Sequence, residues 1–141
     1  MKPAKIISII ALLVSALLAQ LPAFGQSTLP AEKTEGNISY LTGGVGKDEA
    51  AAMKAAQKSY PLSLEFVQKT ARKEEYLASV NVEIKDHKGE VLLKTATDGP
   101  YLYAKLPNGK YLITAEFEGK SKSRHVAVSD KHPKHLDFVW K

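Results

Sequence analysis

The sequence predicts a mainly β protein: an antiparallel β-sandwich of about seven short strands, with one short helix near the N-terminal end. Three observations carry this expectation. Apolar residues recur at every second position in separate runs such as Val80-x-Val82-x-Ile84 and Leu136-x-Phe138-x-Trp140, the period of a strand with one buried face. Turn-forming clusters divide the runs at near-regular spacing: Asp86-His87-Lys88-Gly89, Thr97-Asp98-Gly99-Pro100, Pro107-Asn108-Gly109 and Glu118-Gly119. Only residues 48–58 read clearly as a helix. Strands that each have one apolar face are satisfied when two sheets pack face to face.

Residues 1–25 are expected to form a cleavable secretory signal peptide. Lys2 and Lys5 precede an uncharged apolar run over 6–18, Pro22 breaks it, and Ala23-Phe24-Gly25 offers small residues for cleavage after Gly25. The run falls short of the roughly 20 apolar residues that a spanning helix requires. No stable membrane anchor is therefore expected after cleavage, and the expected location is the periplasm or the medium. The chain contains no cysteine. That removes lipid anchoring, disulfides and thiolate chemistry, and it points to a bacterial periplasm. Cleavage would leave 116 residues, enough for one core without staples. Lys2 and Lys5 leave with the leader, so 18 basic and 15 acidic residues remain, a formal +3. Such a mild balance does not point to nucleic acid as a partner.

Residues 26–37 are polar, contain Pro30 and Gly36, and read as a flexible lead-in to a single domain over 38–141. A short strand over 38–41 runs into Gly43-Gly44-Val45-Gly46. This stretch lacks the Lys-Ser/Thr ending of a phosphate loop and the spacing of a dinucleotide fingerprint, so it reads as a turn. In the helix, Asp48 and Glu49 occupy the first turn and Lys58 the end, matching the helix dipole. Ala52, Met53 and Ala56, with Tyr60 beyond, form a narrow stripe suited to lying on a sheet. Pro61 stops the helix. Leu62, Leu64 and Phe66 then alternate with Ser63, Glu65 and Val67, and 69–75 reads as a charged connection. Further strands are expected over 80–85, 90–95, 101–106, 110–117 and 120–128, and the last follows His132-Pro133. Pro107-Asn108-Gly109 is expected to close a hairpin, with the glycine left-handed.

The run Val80-x-Val82-x-Ile84-x-Asp86-x-x-Gly89, then Thr97-Asp98-Gly99-Pro100, then Ala104-x-Leu106-Pro107-x-Gly109-x-Tyr111-x-Ile113-x-Ala115 resembles the carboxypeptidase regulatory-like domain, a transthyretin-type (prealbumin/Ig-like) sandwich. The resemblance covers about 77–128. With its Tyr40-x-x-Gly43-Gly44-x-Gly46 start and alanine-rich helix, the chain is also similar to small exported proteobacterial proteins that carry this domain. The resemblance implies a scaffold that accompanies other domains or serves adhesion. It supplies no catalytic residues.

Candidate sites follow from residue chemistry. Lys120, Lys122 and Arg124 fall on one face of a strand, spaced about 7 Å apart. They can contact an anionic glycan, a lipid headgroup or an acidic protein, or they can shield an edge strand from aggregation. Tyr101, Tyr103 and Tyr111 lie near the Pro107 turn, where tyrosines can stack on sugars. His125, His132 and His135 cluster late, beside Asp137. In an extended strand His135 and Asp137 share a face, but His132 lies in a loop, and Lys131 and Lys134 oppose a cation, so no metal ligation is expected. Glu65, Glu83 and Glu116 alternate outward in the ordinary solvent pattern, and no serine lies in a nucleophile elbow. The expectation is a non-catalytic module without a cofactor, binding an envelope protein or glycan. The alternatives are an inhibitor of a periplasmic hydrolase, or a metal carrier or small enzyme.

Overall fold

The structure is a computed structural model that describes residues 28–141. The expected leader over 1–25 lies outside the described residues. Ten strands and one α-helix follow in order: β1 (Lys33–Glu35), β2 (Ile38–Gly43), α1 (Lys47–Ala56) continued by a 3-10 turn (Gln57–Ser59), β3 (Leu62–Lys69), β4 (Glu74–Tyr76), β5 (Asn81–Asp86), β6 (Val91–Ala96), β7 (Tyr101–Lys105), β8 (Gly109–Phe117), β9 (Lys120–Val128) and β10 (Lys134–Trp140). They form two sheets. Sheet A has the order β1-β2-β7-β3-β10, with β4 also paired to β3. Sheet B has the order β6-β5-β8-β9.

The mainly β fold with one short helix is as expected, and a sandwich-like arrangement fits it. The alternating apolar residues supply one shared core. Leu62, Leu64, Phe66, Phe138 and Trp140 of sheet A pack with Val82, Ile84, Leu93, Ile113 and Ala115 of sheet B. All of them are essentially without solvent contact. Trp140 closes one side of the core. Its ring packs on Phe66 and Phe117, at centroid distances of 6.4 and 6.0 Å, and its Nε1–H donates to the Lys120 carbonyl at 2.9 Å. This bond ties β10, the edge of sheet A, to β9, the edge of sheet B.

Part of the other face of sheet A is covered as well. Met53 of α1, fully buried, sits with Leu41, Tyr60, Tyr101 and Tyr103 in a second apolar cluster. The alanine stripe thus lies on a sheet as expected. Glu49 in the first helical turn accepts the Gly44 N–H at 2.8 Å and so fastens the glycine loop to the helix. Gly99 packs so closely on the Gly43 backbone that a side chain at that position has no space.

The structure departs from the sequence expectations at four points. Residues 33–35, expected in the flexible lead-in, form β1 against β2. Glu32 and Lys33 further pin this segment by accepting from Tyr60 at 2.8 Å and pairing with Asp98 at 2.7 Å. The charged connection contains β4, which pairs with the far end of β3. Sheet A is not wholly antiparallel, because β10 runs parallel to β3 with His135 opposite Ser63 and Asp137 opposite Glu65. The chain leaves and returns in the same direction, with sheet B formed in between. Lastly, Pro107-Asn108-Gly109 does not close a hairpin: it carries the chain from β7 in sheet A to β8 in sheet B. Gly109 is not left-handed. The Tyr111 hydroxyl donates to the Pro107 carbonyl at 2.6 Å and fixes this corner. A true hairpin occurs between β8 and β9, where Glu118 and Gly119 both take positive φ, the twist that a two-residue turn demands.

Candidate functional site

The sequence-predicted residues fall at three places. Lys120, Lys122 and Arg124 share one face of β9, as their period of two requires, and all are exposed. They have the same parity as Val126 and Val128, which are buried in the core, so the row points toward the side where the two sheet edges meet. There, Lys122 and Arg124 line a groove of about 410 Å³ with Asp137, Phe138 and Val139 of β10. None of the three cations forms an ion pair among the described residues. Because β9 is an edge strand, charges on it also discourage pairing with another sheet.

Tyr101 and Tyr103 are not where a sugar could stack on them. Both rings are covered by the helix side of sheet A, at 2% and 0% exposure. Tyr111 is buried at the inter-sheet corner, with its hydroxyl committed to Pro107. The alternation placed all three on strands correctly, but not the helix that roofs the first two. The Pro107 corner therefore presents no tyrosine to a hydrolase cleft.

The late histidines do not assemble. His125 lies on the outer face of sheet B, opposite in parity to the buried Val126, and His135 lies on the outer face of sheet A, opposite in parity to the buried Phe138. His132 sits in the loop before β10, bridged to Ser129. His135 and Asp137 do share a face, with His135 Nε2 at 2.8 Å from Asp137 Oδ1. Their third neighbour is Glu65 of β3, whose Oε2 is 3.6 Å from the same nitrogen. Ser63 Oγ lies 2.8 Å from His135 Nδ1 on the other side of the ring.

The reading of Glu65 as a solvent-facing residue is thus corrected. It is partly buried on the outer face of sheet A, and its carboxyl is held above the usual carboxylate range, by burial first and then by the Asp137 carboxylate, against the opposing pull of His135. Across the sheet, Glu65 stands opposite Tyr101 and Ser63 opposite Tyr103. Burial pushes the Tyr101 hydroxyl up to about 12, with the Glu65 carboxylate adding to it. Tyr103 is raised further, by burial and then by Tyr101 and Glu65, and its hydroxyl is fully buried without a hydrogen-bond partner.

Ser63, His135 and Asp137 superficially suggest a nucleophilic triad. Ser63 is only 2% exposed and sits mid-strand between β7 and β10. Its flanking backbone N–H groups are spent in the sheet, so neither access for an acyl group nor a free pair of oxyanion donors is present around it. No protein-family model and no curated protein matches the chain. Among the described residues, no helix is long and apolar enough to cross a membrane.

Proposed function

We propose that the protein is a non-catalytic binding module of the bacterial envelope that holds an anionic protein or glycan partner along the β9 edge. The observation that carries this reading is the row Lys120, Lys122 and Arg124: three cations on one face, exposed and in no ion pair among the described residues, beside a groove between the two sheet edges whose one acidic lining residue is Asp137. An excess of cations aligned on one strand attracts an extended polyanion, with the backbone already ordered by the sheet. The resemblance to carboxypeptidase regulatory-like domains, which accompany other domains, supports a binding role. The signal-peptide pattern over 1–25 supports export to a compartment rich in acidic surface components.

The test is affinity capture from an envelope extract with the wild-type protein and a Lys120→Ser/Lys122→Ser/Arg124→Ser variant. The wild type should retain a component that both the variant and high salt release, since exposed charge contacts are screened over about 8–10 Å at ordinary ionic strength. Equal capture by the variant overturns the reading and leaves edge protection as the role of the row.

A further inference from the structure

We propose that Glu65, His135 and Asp137 form a site for one divalent transition-metal ion on the outer face of sheet A, with Ser63 orienting the imidazole. The site shares Asp137 with the groove beside Lys122 and Arg124, but it does not rest on that groove holding a partner.

Geometry comes first. The parallel register of β3 and β10 sets Asp137 beside Glu65 and His135 beside Ser63. Side chains two residues apart on one strand meet the neighbouring strand's side chains on the same face. Three potential ligand atoms, one nitrogen and two carboxylate oxygens, accordingly lie within 4.8 Å of one another. Metal–ligand bonds of about 2.0–2.2 Å place neighbouring ligand atoms about 3–3.5 Å apart. The observed 2.8 and 3.6 Å from His135 Nε2 to the two carboxylates bracket that spacing. Closing on an ion therefore needs only small side-chain adjustments.

The second shell suits the same purpose. A ligating histidine donates its other ring N–H to a fixed acceptor, which sets the tautomer. Here Ser63 Oγ sits 2.8 Å from Nδ1 and can donate onward to the Lys134 carbonyl at 3.4 Å. In the metal-bound form Nδ1–H donates to Ser63 Oγ and Nε2 is free to ligate, whereas without an ion Nε2–H donates to Asp137 Oδ1 at 2.8 Å. Two carboxyl groups this close already disfavour joint ionisation, and a bound ion removes that penalty.

An independent observation comes from Tyr103. Its hydroxyl is the single buried side-chain polar atom without a partner among the described residues, and a buried hydroxyl left so carries a real cost. Tyr103 stands opposite Ser63 on the adjoining strand, on the same face of sheet A as the cluster. Three protein ligands leave positions open on the ion for water. With one imidazole, two carboxylates and no thiolate, the set suits zinc, manganese, cobalt or nickel rather than copper(I).

The test is calorimetric titration of the purified, chelator-stripped protein with Zn²⁺ and with Mn²⁺ up to about 1 mM, beside Glu65→Gln, His135→Gln, Ser63→Ala and His132→Gln variants whose folding is checked by circular dichroism. One ion per chain is expected, lost or weakened at least tenfold in Glu65→Gln and His135→Gln. Ser63→Ala should weaken binding about 10–100-fold, the usual cost of removing such a support, and His132→Gln should leave it unchanged. In the wild type the His135 Nε2 nitrogen resonance should move on adding zinc. Absence of binding by either ion overturns the proposal, as does binding that survives Glu65→Gln and His135→Gln.

Discussion

The two faces of β3 and β10 differ although the same strands build both. Toward sheet B these strands place Leu62, Leu64, Phe66, Phe138 and Trp140, all apolar and buried. Toward the helix side they place Ser63, Glu65, His135 and Asp137, a polar group beside the aromatic cluster under Met53. The inner face is spent on stability. The outer face divides: where α1 covers it the residues are apolar, and beyond the helix they are titratable and hydrogen-bonded to one another. In a period-two strand a shift of one residue moves from one purpose to the other.

The sharpest way to break this comparison is to change neighbours of opposite parity. Phe66 stacks on Phe138 at 5.7 Å and touches Trp140. Phe66→Ala should cost about 3–5 kcal/mol, the range for removing a buried ring. Glu65→Gln, one residue away, should change stability in metal-free solution by less than about 1 kcal/mol, because it removes a carboxyl that burial and Asp137 already disfavour in its charged form. Denaturant unfolding of both variants checks this. Similar losses from the two would mean that the outer cluster is structural in the same sense as the core.

How far the fold was legible follows from the same parity. Leu62, Leu64 and Phe66 announce a strand because alternation is local, and the Glu118-Gly119 turn is local too. The partner of β3 is not. That β10 lies beside it, parallel and in register, depends on about 70 residues of intervening chain, and nothing in Lys134-His135-Leu136-Asp137 names Glu65. His135 and Asp137 could be placed on one face from sequence. The third member could not, and His132, the obvious candidate by proximity, stays in its loop. Tyr101 and Tyr103 show the same limit, since their strand was legible but the helix over them was not. The Pro107 turn failed differently: its chemistry specifies a reversal, while the choice between a hairpin and a crossing to the other sheet rests on which strands β7 and β8 find as neighbours.

A second, smaller effect sharpens the difference between the covered and open parts of the outer face. Met53 is the one fully buried residue of α1 and meets Leu41, Tyr60, Tyr101 and Tyr103. Met53→Ala should cost about 2–3 kcal/mol, at the low end for buried methionine, because the helix edge is free to settle into the gap. Near-ultraviolet dichroism of the tyrosines should weaken, and amide exchange should quicken in α1 and β1 before it does in β8. If exchange instead quickens evenly through both sheets, the helix is not a separable roof but part of the main core.

The smallest effect expected concerns pH and the latch at the end of that roof. The Tyr60 hydroxyl donates to Glu32 at 2.8 Å, and Lys105 lies over the same ring at 5.4 Å while pairing with Glu32 at 3.0 Å. Burial, and then Glu32, push the Tyr60 hydroxyl up to about 12, against about 10 in an unfolded chain. The folded state thus favours the protonated phenol. Its contribution is complete below pH about 10 and is lost as pH rises toward 12. Glu32 works in the opposite sense: its carboxyl is held below its ordinary range by Tyr60 and then Lys105, so its share is present at neutral pH and fades as acid protonates it. Tyr101, Tyr103 and Tyr111 also have raised hydroxyls, so alkaline sensitivity alone does not isolate the latch. The difference between wild type and Tyr60→Phe does. Wild type should be more stable by about 1 kcal/mol at pH 7, the usual worth of one such hydrogen bond, and the gap should close between pH 10 and 12 as Tyr60 gives up its proton to the solvent. A gap that persists unchanged to pH 12 would mean that the ring's packing, and not its hydroxyl, holds the lead-in segment against sheet A.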